Sequence, residues 1–516
     1  MWLWSARREF DSLLPPFLKM DSKFKIARGT RDFLPQEMNE KNYVESTIKK
    51  VFEEFGFQQI QTPIFEKFEL FSARSGPEIR EGMFTFFCDN EEFALRPELT
   101  AAACRLISTG KLNIPKPYEI FYVGPCFRYE RPQSGRYREF TQAGLELMGT
   151  SSPMADAKVI ATAISALKRL NIEGYKVKIG NIGIFRELLK GEGFDFNQQC
   201  SIIGFINRFL DTREKLSILL EKKEFEKSDK EFLVTKMSEV YKIQGDMKYE
   251  GNYEIIPIPT ERLDDKKIRE LLKEVPEAME ETIKFILKKD YNVKKDLLDL
   301  FFKIGKIQGG RKEVEKIANE LLKDTNAKKS VEELFLVLDF LESYGYKEYE
   351  VVLGVARGLD FYTDTVFEID LPILDAQKQI CGGGRYDNLV AEFGGPKTPA
   401  TGFAFGVDRI IEGLKRMNKI PKLAKAQIFV IPISNEFKKE SLKIISELRK
   451  NGISCEEELE DINFKKQIEN AKKLGIPYII LIGKKEIDSK SLTLTNLKTN
   501  EKKEVKIEEI NKELFL

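Results

Sequence analysis

The chain has 516 residues and no histidine, and its 84 Lys and Arg balance 83 Asp and Glu for a net charge of +1. Without imidazole there is no Ser-His-Asp or Cys-His nucleophile pair, no HExxH zinc site and no histidine general base. Near-neutrality excludes a globally basic nucleic-acid coat and leaves room only for a local basic face.

A hydrophobic content of 42% with 32% charged residues of both signs describes globular structure rather than disorder. The length suits about three or four domains. No two of the six cysteines, Cys88, Cys104, Cys126, Cys200, Cys381 and Cys455, are spaced as CxxC. With no histidine to help, a zinc cluster is not expected, and scattered thiols fit a reducing, cytoplasmic setting. No apolar run reaches the ~18 residues of a membrane span.

Residues 1–19 read unlike the rest. Trp2 and Trp4 are the chain's two tryptophans, and Glu9 and Asp11 interrupt any targeting signal. The expectation is a dispensable leader with Met20 as the start. From Gln36 to Phe55 the pattern is helical, with Ile48, Val51, Phe52 and Phe55 at i, i+3, i+4 and i+7 and Gly56 as the stop. The next run, FQQIQTPIFE, alternates as a strand, and Pro63 in it suits an edge or a bulge. The pair is either ordinary α/β structure or a dimer-forming element.

In Leu95-Arg96-Pro97-Glu98-Leu99-Thr100, a strand would put the Glu98 carboxylate and the Thr100 hydroxyl on one face, suited to a cationic amine. Glu and Thr near a strand end more often serve the start of a helix. Residues Tyr118 to Met148 read as a long antiparallel hairpin around the polar turn RPQSGRY. Alternation places Arg138, Phe140, Gln142, Gly144 and Glu146 on one face. Arg128, Arg131, Arg136 and Arg138 crowd one aromatic ring. Such arginines suit a polyphosphate, the ring a purine, and Gln with Glu a small polar ligand. A solvated ribbon with surface ion pairs is the plainer alternative.

Residues 196–345 are rich in Lys, Glu and Leu with helical periodicity, a helical insertion of about one domain. Within it, GKIQGGRK lacks both the GK[ST] ending and the preceding strand of a phosphate loop, so it reads as a helix–helix turn. Strand-like text returns at Glu350. Arg357-Gly358-Leu359-Asp360-Phe361-Tyr362 and Gly382-Gly383-Gly384-Arg385-Tyr386 put glycines where a ligand could approach the backbone, or where the chain simply turns. Arg409 follows the small residues of GFAFG. From Gln427 onward strands and helices alternate as a small α/β domain. Taken together, arginines, an aromatic ring, Glu and Gln on a sheet suit an ATP-using enzyme with a small zwitterionic substrate.

At these residues the sequence closely resembles the histidyl-tRNA synthetases, from GTRDFLP at Gly29 to the C-terminus. FRYERPQSGRYREFTQ resembles the family's motif 2 and TGFAFGVDR its motif 3. The long helix and the Pro63 strand resemble motif 1, the dimer element. RGLDFY and GGGRYD are similar to the two histidine-recognition signatures, and NFKKQIENAKKLGIPYIILIG to the class IIa anticodon-binding domain.

The resemblance implies an α+β fold: a class II antiparallel β-sheet catalytic core with flanking helices, a helical insertion domain and a C-terminal α/β anticodon-binding domain. The corresponding limits are 1–19 leader, 20–195 first core part, 196–345 insertion, 346–418 second core part and 424–516 anticodon-binding domain. It implies ATP-dependent ligation of L-histidine to tRNA-His through a histidyl-adenylate, with Mg²⁺ on the phosphates, in a cytoplasmic homodimer with no membrane contact.

By the same resemblance, Glu98 and Thr100 hold the substrate α-amino group, and Gln142 and Arg357 its carboxylate. Glu146 and Tyr362 contact the imidazole, with Phe361 and Tyr386 in the same pocket. Arg128 and Arg357 grip the α-phosphate as the catalytic pair. Phe140 stacks on adenine, Glu130 meets its edge, and Arg136 and Arg409 hold the β- and γ-phosphates. Phe361 stands where a tyrosine is usual, and Tyr129 and Thr141 where many members carry histidine. A catalytically inactive paralogue, regulating histidine biosynthesis, is the competing reading. Such a protein is expected to lose motif arginines and the anticodon domain.

An enzyme that charges histidine and contains none can be translated when charged tRNA-His runs out; codon bias would leave the same gap. If the gap is regulatory, synthesis of this chain under histidine starvation, followed by pulse labelling, falls less than that of a histidine-containing protein. An equally steep fall rejects the regulatory reading.

Overall fold

The computed structural model describes residues 24–72, 82–112, 114–129, 136–222, 224–249, 264–354, 361–421, 424–460, 463–489 and 491–510. Contacts divide the chain into two units. One holds Lys41–Lys419 with the residues up to Asp32, and the other Ile420–Leu516 with Phe33–Glu40.

Helix α1 (Pro35–Glu54), which lies in the first unit from Lys41 onward, buries Val44, Ile48, Val51 and Phe52, one stripe at helical spacing. It ends before Gly56, whose φ of +90° a side chain would strain. The expected single strand at 57–66 is instead two: β1 (Gln58–Gln59) and β2 (Phe65–Lys67), in different sheets. Pro63 has no N–H for a ladder, and the buried Arg96 guanidinium takes the Thr62 and Pro63 carbonyls at 2.9 and 3.2 Å. Helix α2 (Phe68–Ser72) follows, then β3 (Thr85–Cys88) and β4 (Glu91–Leu95), which complete a three-stranded sheet with β2. Helix α3 (Thr100–Ser108) leads to the hairpin β5 (Tyr118–Phe127) and β6 (Glu139–Met148). Its register runs without a slip from Tyr118 opposite Met148 to Phe127 opposite Glu139, as alternation predicts.

Helix α4 (Pro153–Arg169) starts at Ser152, whose hydroxyl accepts the Met154 N–H, and lies on the sheet with an alanine-rich face. Strand β7 (Lys176–Asn181) and α5 (Gly183–Gly191) precede the helical stretch. That stretch holds α6 (Phe196–Glu221), α7 (Lys227–Tyr249), α8 (Asp265–Tyr291) and α9 (Lys295–Gly305), of which α6, α7 and α8 pack together. Next come β8 (Gln308–Gly309), α10 (Arg311–Leu322) and α11 (Lys328–Ser343), the last packed on α4. GKIQGGRK thus joins two helices, as read, and adds one short strand that closes a sheet edge.

The chain returns through β9 (Glu350–Val352), β10 (Thr365–Asp370), β11 (Gln379–Arg385), α12 (Leu389–Glu392), β12 (Ala400–Gly406) and α13 (Val407–Arg416). The large sheet is ordered β1-β5-β6-β12-β11-β10-β7-β9-β8. The six strands from β5 to β7 are antiparallel throughout, and parallel pairs β1–β5 and β7–β9 flank them.

The second unit carries β13 (Ile428–Pro432), α14 (Lys438–Lys450), β14 (Cys455–Glu457), α15 (Phe464–Lys473), β15 (Tyr478–Ile482), α16 (Lys484–Ser489), β16 (Leu492–Asn496) and β17 (Lys502–Val505). Its five-stranded sheet is ordered β14-β13-β15-β16-β17. β17 escapes the sequence reading because its text is KKEV and only Val505 is buried. All six cysteines are free. Among the described residues, no helix is long and apolar enough to cross a membrane.

Candidate active site

The face of β6 that alternation selects carries a buried polar network. Glu146 accepts a 2.7 Å hydrogen bond from the Tyr122 hydroxyl on β5 and a very short one from the Tyr386 hydroxyl just after β11. Tyr122 also meets the Thr100 hydroxyl at 3.2 Å. Burial pushes the Glu146 carboxyl up to about 8, and the tyrosine bonds offset only part of that. A carboxyl group here is thus a proton holder near neutral pH. Gly402 on β12 lies opposite, and a Cβ there would collide with the Glu146 carboxylate and come within 2.5 Å of the Leu145 carbonyl. Phe361 is buried edge-on to Tyr386, ring centroids 5.5 Å apart, and 4.9 Å from the Tyr362 ring. An apolar ring fits that packed position, whose neighbours are aromatic and aliphatic. Arg186 on α5 fixes the Tyr362 carbonyl at 2.8 Å.

Glu98 and Thr100 do not share a strand face. β4 ends at Leu95 and Thr100 is the first residue of α3. The buried Glu98 carboxylate accepts the Thr100 and Ala101 N–H groups at 2.5 and 3.0 Å, so it caps the helix start. Both residues still border the network, through the Thr100–Tyr122 bond. Gln142 sits farther along β6, where its side-chain oxygen faces the Cys126 thiol at 3.3 Å.

The arginines of the hairpin gather at its turn end, where Phe127 pairs with Glu139. The Arg128 guanidinium lies over the Phe140 ring at 5.3 Å and donates to the Pro97 carbonyl at 2.9 Å. Arg138 stacks on Tyr129 at 3.9 Å and its side chain donates to the Arg28 carbonyl, so this arginine is tied to the N-terminal segment. Arg136 is half-buried. Arg409, on α13, is held by the Gln379 carbonyl at 2.5 Å and the Gln377 side chain at 3.1 Å. Arg357, Glu130 and Arg131 lie outside the described residues.

Several members of the site had no signal in residue type or spacing. Tyr122 is one; only its pairing opposite Gly144 brings it to Glu146. Asp408 is another. It accepts the Arg31 guanidinium at 2.5 Å and the Thr141 N–H at 2.7 Å, joining the N-terminal segment, the hairpin and α13. The glycines of GGGRYD lie within β11, where a Cβ on Gly383 or Gly384 would meet carbonyls of the neighbouring strands at 2.5 and 2.4 Å. They permit close strand packing rather than ligand approach. Arg385, in the same signature, turns away from Glu146 into a buried pair with Asp156.

A family model for histidyl-tRNA synthetase matches residues 29–248 and 251–410, and one for an anticodon binding domain matches 427–514. The histidine–tRNA ligase of Thermococcus kodakarensis is 33% identical over 493 residues, 95% of this chain and 97% of that protein. That of Methanocaldococcus jannaschii is 33% identical over 490 residues, 94% of this chain and 98% of the relative. The solved histidyl-tRNA synthetase from Nostoc sp. PCC 7120 shares the fold, with a TM-score of 0.69 over 96% of this chain and 99% of that one, at 22% identity.

Proposed function

This chain belongs to the histidyl-tRNA synthetase family and is a histidine–tRNA ligase, and we propose that the Glu146–Tyr122–Tyr386 network is where it selects its amino acid. The enzyme uses ATP to join L-histidine to tRNA-His through a histidyl-adenylate, releasing AMP and diphosphate. The closed network is the observation that carries the site reading. An imidazole presents one N–H donor and one acceptor nitrogen, and a carboxyl group pinned by two hydroxyls offers it a fixed partner. Tyr362 is the second imidazole contact, and Phe361 and Tyr386 close the pocket around it.

Glu98 and Thr100 hold the α-amino group; a carboxylate has about four acceptor sites, so capping α3 leaves capacity for an ammonium. Gln142 and Arg357 hold the carboxylate. Phe140 stacks on adenine with Glu130 at its edge, and Arg128 and Arg357 take the α-phosphate. Arg136 and Arg409 take the β- and γ-phosphates. Mg²⁺ would ride on the phosphate oxygens. Among the described residues no group of three or more Cys, Asp or Glu is placed to hold a metal ion. When bound, it supplies countercharge.

No imidazole base is needed. The histidine carboxylate is already anionic and attacks the α-phosphorus in line as diphosphate leaves, while the arginines position and neutralise the phosphates. The terminal ribose hydroxyl of the tRNA then attacks the adenylate carbonyl, and AMP leaves. The helical segment 196–345 and the domain at 424–516 are assigned to tRNA contact, and the α1–β1 region to a homodimer interface in a cytoplasmic enzyme. The paralogue reading is disfavoured by the retained Arg128, Arg357 and Arg409 and by the anticodon-binding match at 427–514.

ATP–pyrophosphate exchange against all twenty amino acids is expected to respond to histidine alone. Arg357→Ala is expected to lower that exchange by about 10²–10³-fold or more with an unchanged circular dichroism spectrum. Exchange near the wild-type rate would reject the assignment of Arg357.

A further inference from the structure

The helical segment touches the ATP side of the site through one carboxylate. Glu214, on α6, accepts from Lys178 Nζ on β7 at 2.8 Å and from Lys378 Nζ at 3.0 Å. Both lysines also reach the buried Asp370 at the end of β10, at 3.4 and 3.3 Å. Two cations and two carboxylates thus form a neutral cluster. Lys378 lies between Gln377 and Gln379, the two residues that hold the Arg409 guanidinium. The β10–β11 ladder slips at this point, where Ile369 pairs with Cys381 but Asp370 with Gln379. The slip disrupts the ladder locally, and here the side-chain ties of Lys378 add to the backbone bond its carbonyl accepts from the Leu371 N–H at 2.6 Å.

We propose that Glu214 is a positioning residue for the ATP subsite: through Lys378 it fixes residues 377–379, and through them the Arg409 guanidinium. The inference rests on the assignment of Arg409 to the ATP phosphates. Glu214 is only partly buried and touches no residue assigned to histidine, so its effect should fall on ATP and be moderate. Because α6 belongs to the helical segment, a displacement of that helix would reach Arg409 by the same route.

The test is steady-state ATP–pyrophosphate exchange on the full chain, with thermal unfolding alongside. Glu214→Gln is expected to raise the KM for ATP about threefold to tenfold, leaving kcat and the KM for histidine within about twofold. Glu214→Lys alone is expected to raise it further. Adding Lys378→Glu restores the cluster's neutrality and should bring the KM for ATP back toward wild type. Arg409→Ala is the reference. If it raises the KM for ATP while Glu214→Gln does not, or the charge exchange fails to restore it, the positioning role is overturned. If Arg409→Ala itself leaves the KM for ATP unchanged, the ATP-site assignment fails and this inference with it. A lowered melting temperature with unchanged KM values assigns Glu214 a structural role only and also overturns the proposal.

Discussion

Glu146→Ala is expected to abolish histidine-dependent ATP–pyrophosphate exchange, lowering kcat/KM for histidine by about 10⁴-fold or more. The substitution removes the polar centre of the pocket and leaves the Tyr122 and Tyr386 hydroxyls, both buried, without their acceptor. A site built to hydrogen-bond its substrate discriminates steeply because unmatched buried polar groups cost about 1–3 kcal/mol each. Exchange within tenfold of wild type would remove Glu146 from the recognition site.

The protonation of Glu146 adds a pH signature. With its carboxyl pushed up to about 8, the free site carries a proton at pH 7, and the free substrate imidazole, with an ordinary value near ~6.5, carries none. The complex needs that single shared proton. Binding therefore weakens above about pH 8, where the site has lost it, and below about pH 6.5, where the substrate brings a second. The profile of kcat/KM against pH is expected to be bell-shaped, and Glu146→Gln should lose the alkaline limb. The same shift has a stability consequence. Below the ordinary carboxylate range both folded and unfolded states hold the proton, so nothing is lost. As pH rises toward 8 the unfolded chain releases it first, and wild-type stability falls. Glu146→Gln should lack that fall between about pH 5 and 8.

Arg385→Ala is expected to cost about 3–5 kcal/mol of stability. The Arg385 and Asp156 side chains are 5% and 3% exposed, so neither can fall back on water. The guanidinium reaches Asp156 at 2.8 and 3.1 Å, Asp387 at 3.1 Å, and the Thr150 and Ser152 carbonyls at 3.1 and 3.3 Å. It thereby joins β11 to the start of α4. Its loss strands the Asp156 carboxylate in the interior. Pairing it with Asp156→Leu should recover part of the loss, because the stranded charge is then gone. A denaturation midpoint within error of wild type for Arg385→Ala would refute the assignment. Activity should fall too, since Tyr386 is the next residue and carries a hydroxyl of the Glu146 network.

The hairpin was legible in the sequence because a period of two is a local property. Phe140, Gln142, Gly144 and Glu146 stand on one face whatever surrounds them, and the observed register keeps them there. The helical stripe of Val44, Ile48, Val51 and Phe52 is local in the same sense. The motif text around Arg128, Arg409 and Tyr386 identified the family for the related reason that it is contiguous.

Local text and spacing thus set which faces are apolar, where the arginines cluster and which family the chain resembles. That Glu98 caps α3 depends on where β4 stops, which the folded chain alone fixes. Only it separated Arg385 from Tyr386, neighbours in the chain whose side chains meet Asp156 on one side and Glu146 on the other. Asp408 meets Arg31 across 377 positions, and Glu214 reaches Lys378 across 164. Such partners carry no mark in local spacing. A carboxylate can cap, pair or bind a ligand with the same atoms, and which of these it does is set by the groups that folding brings within about 3 Å of it.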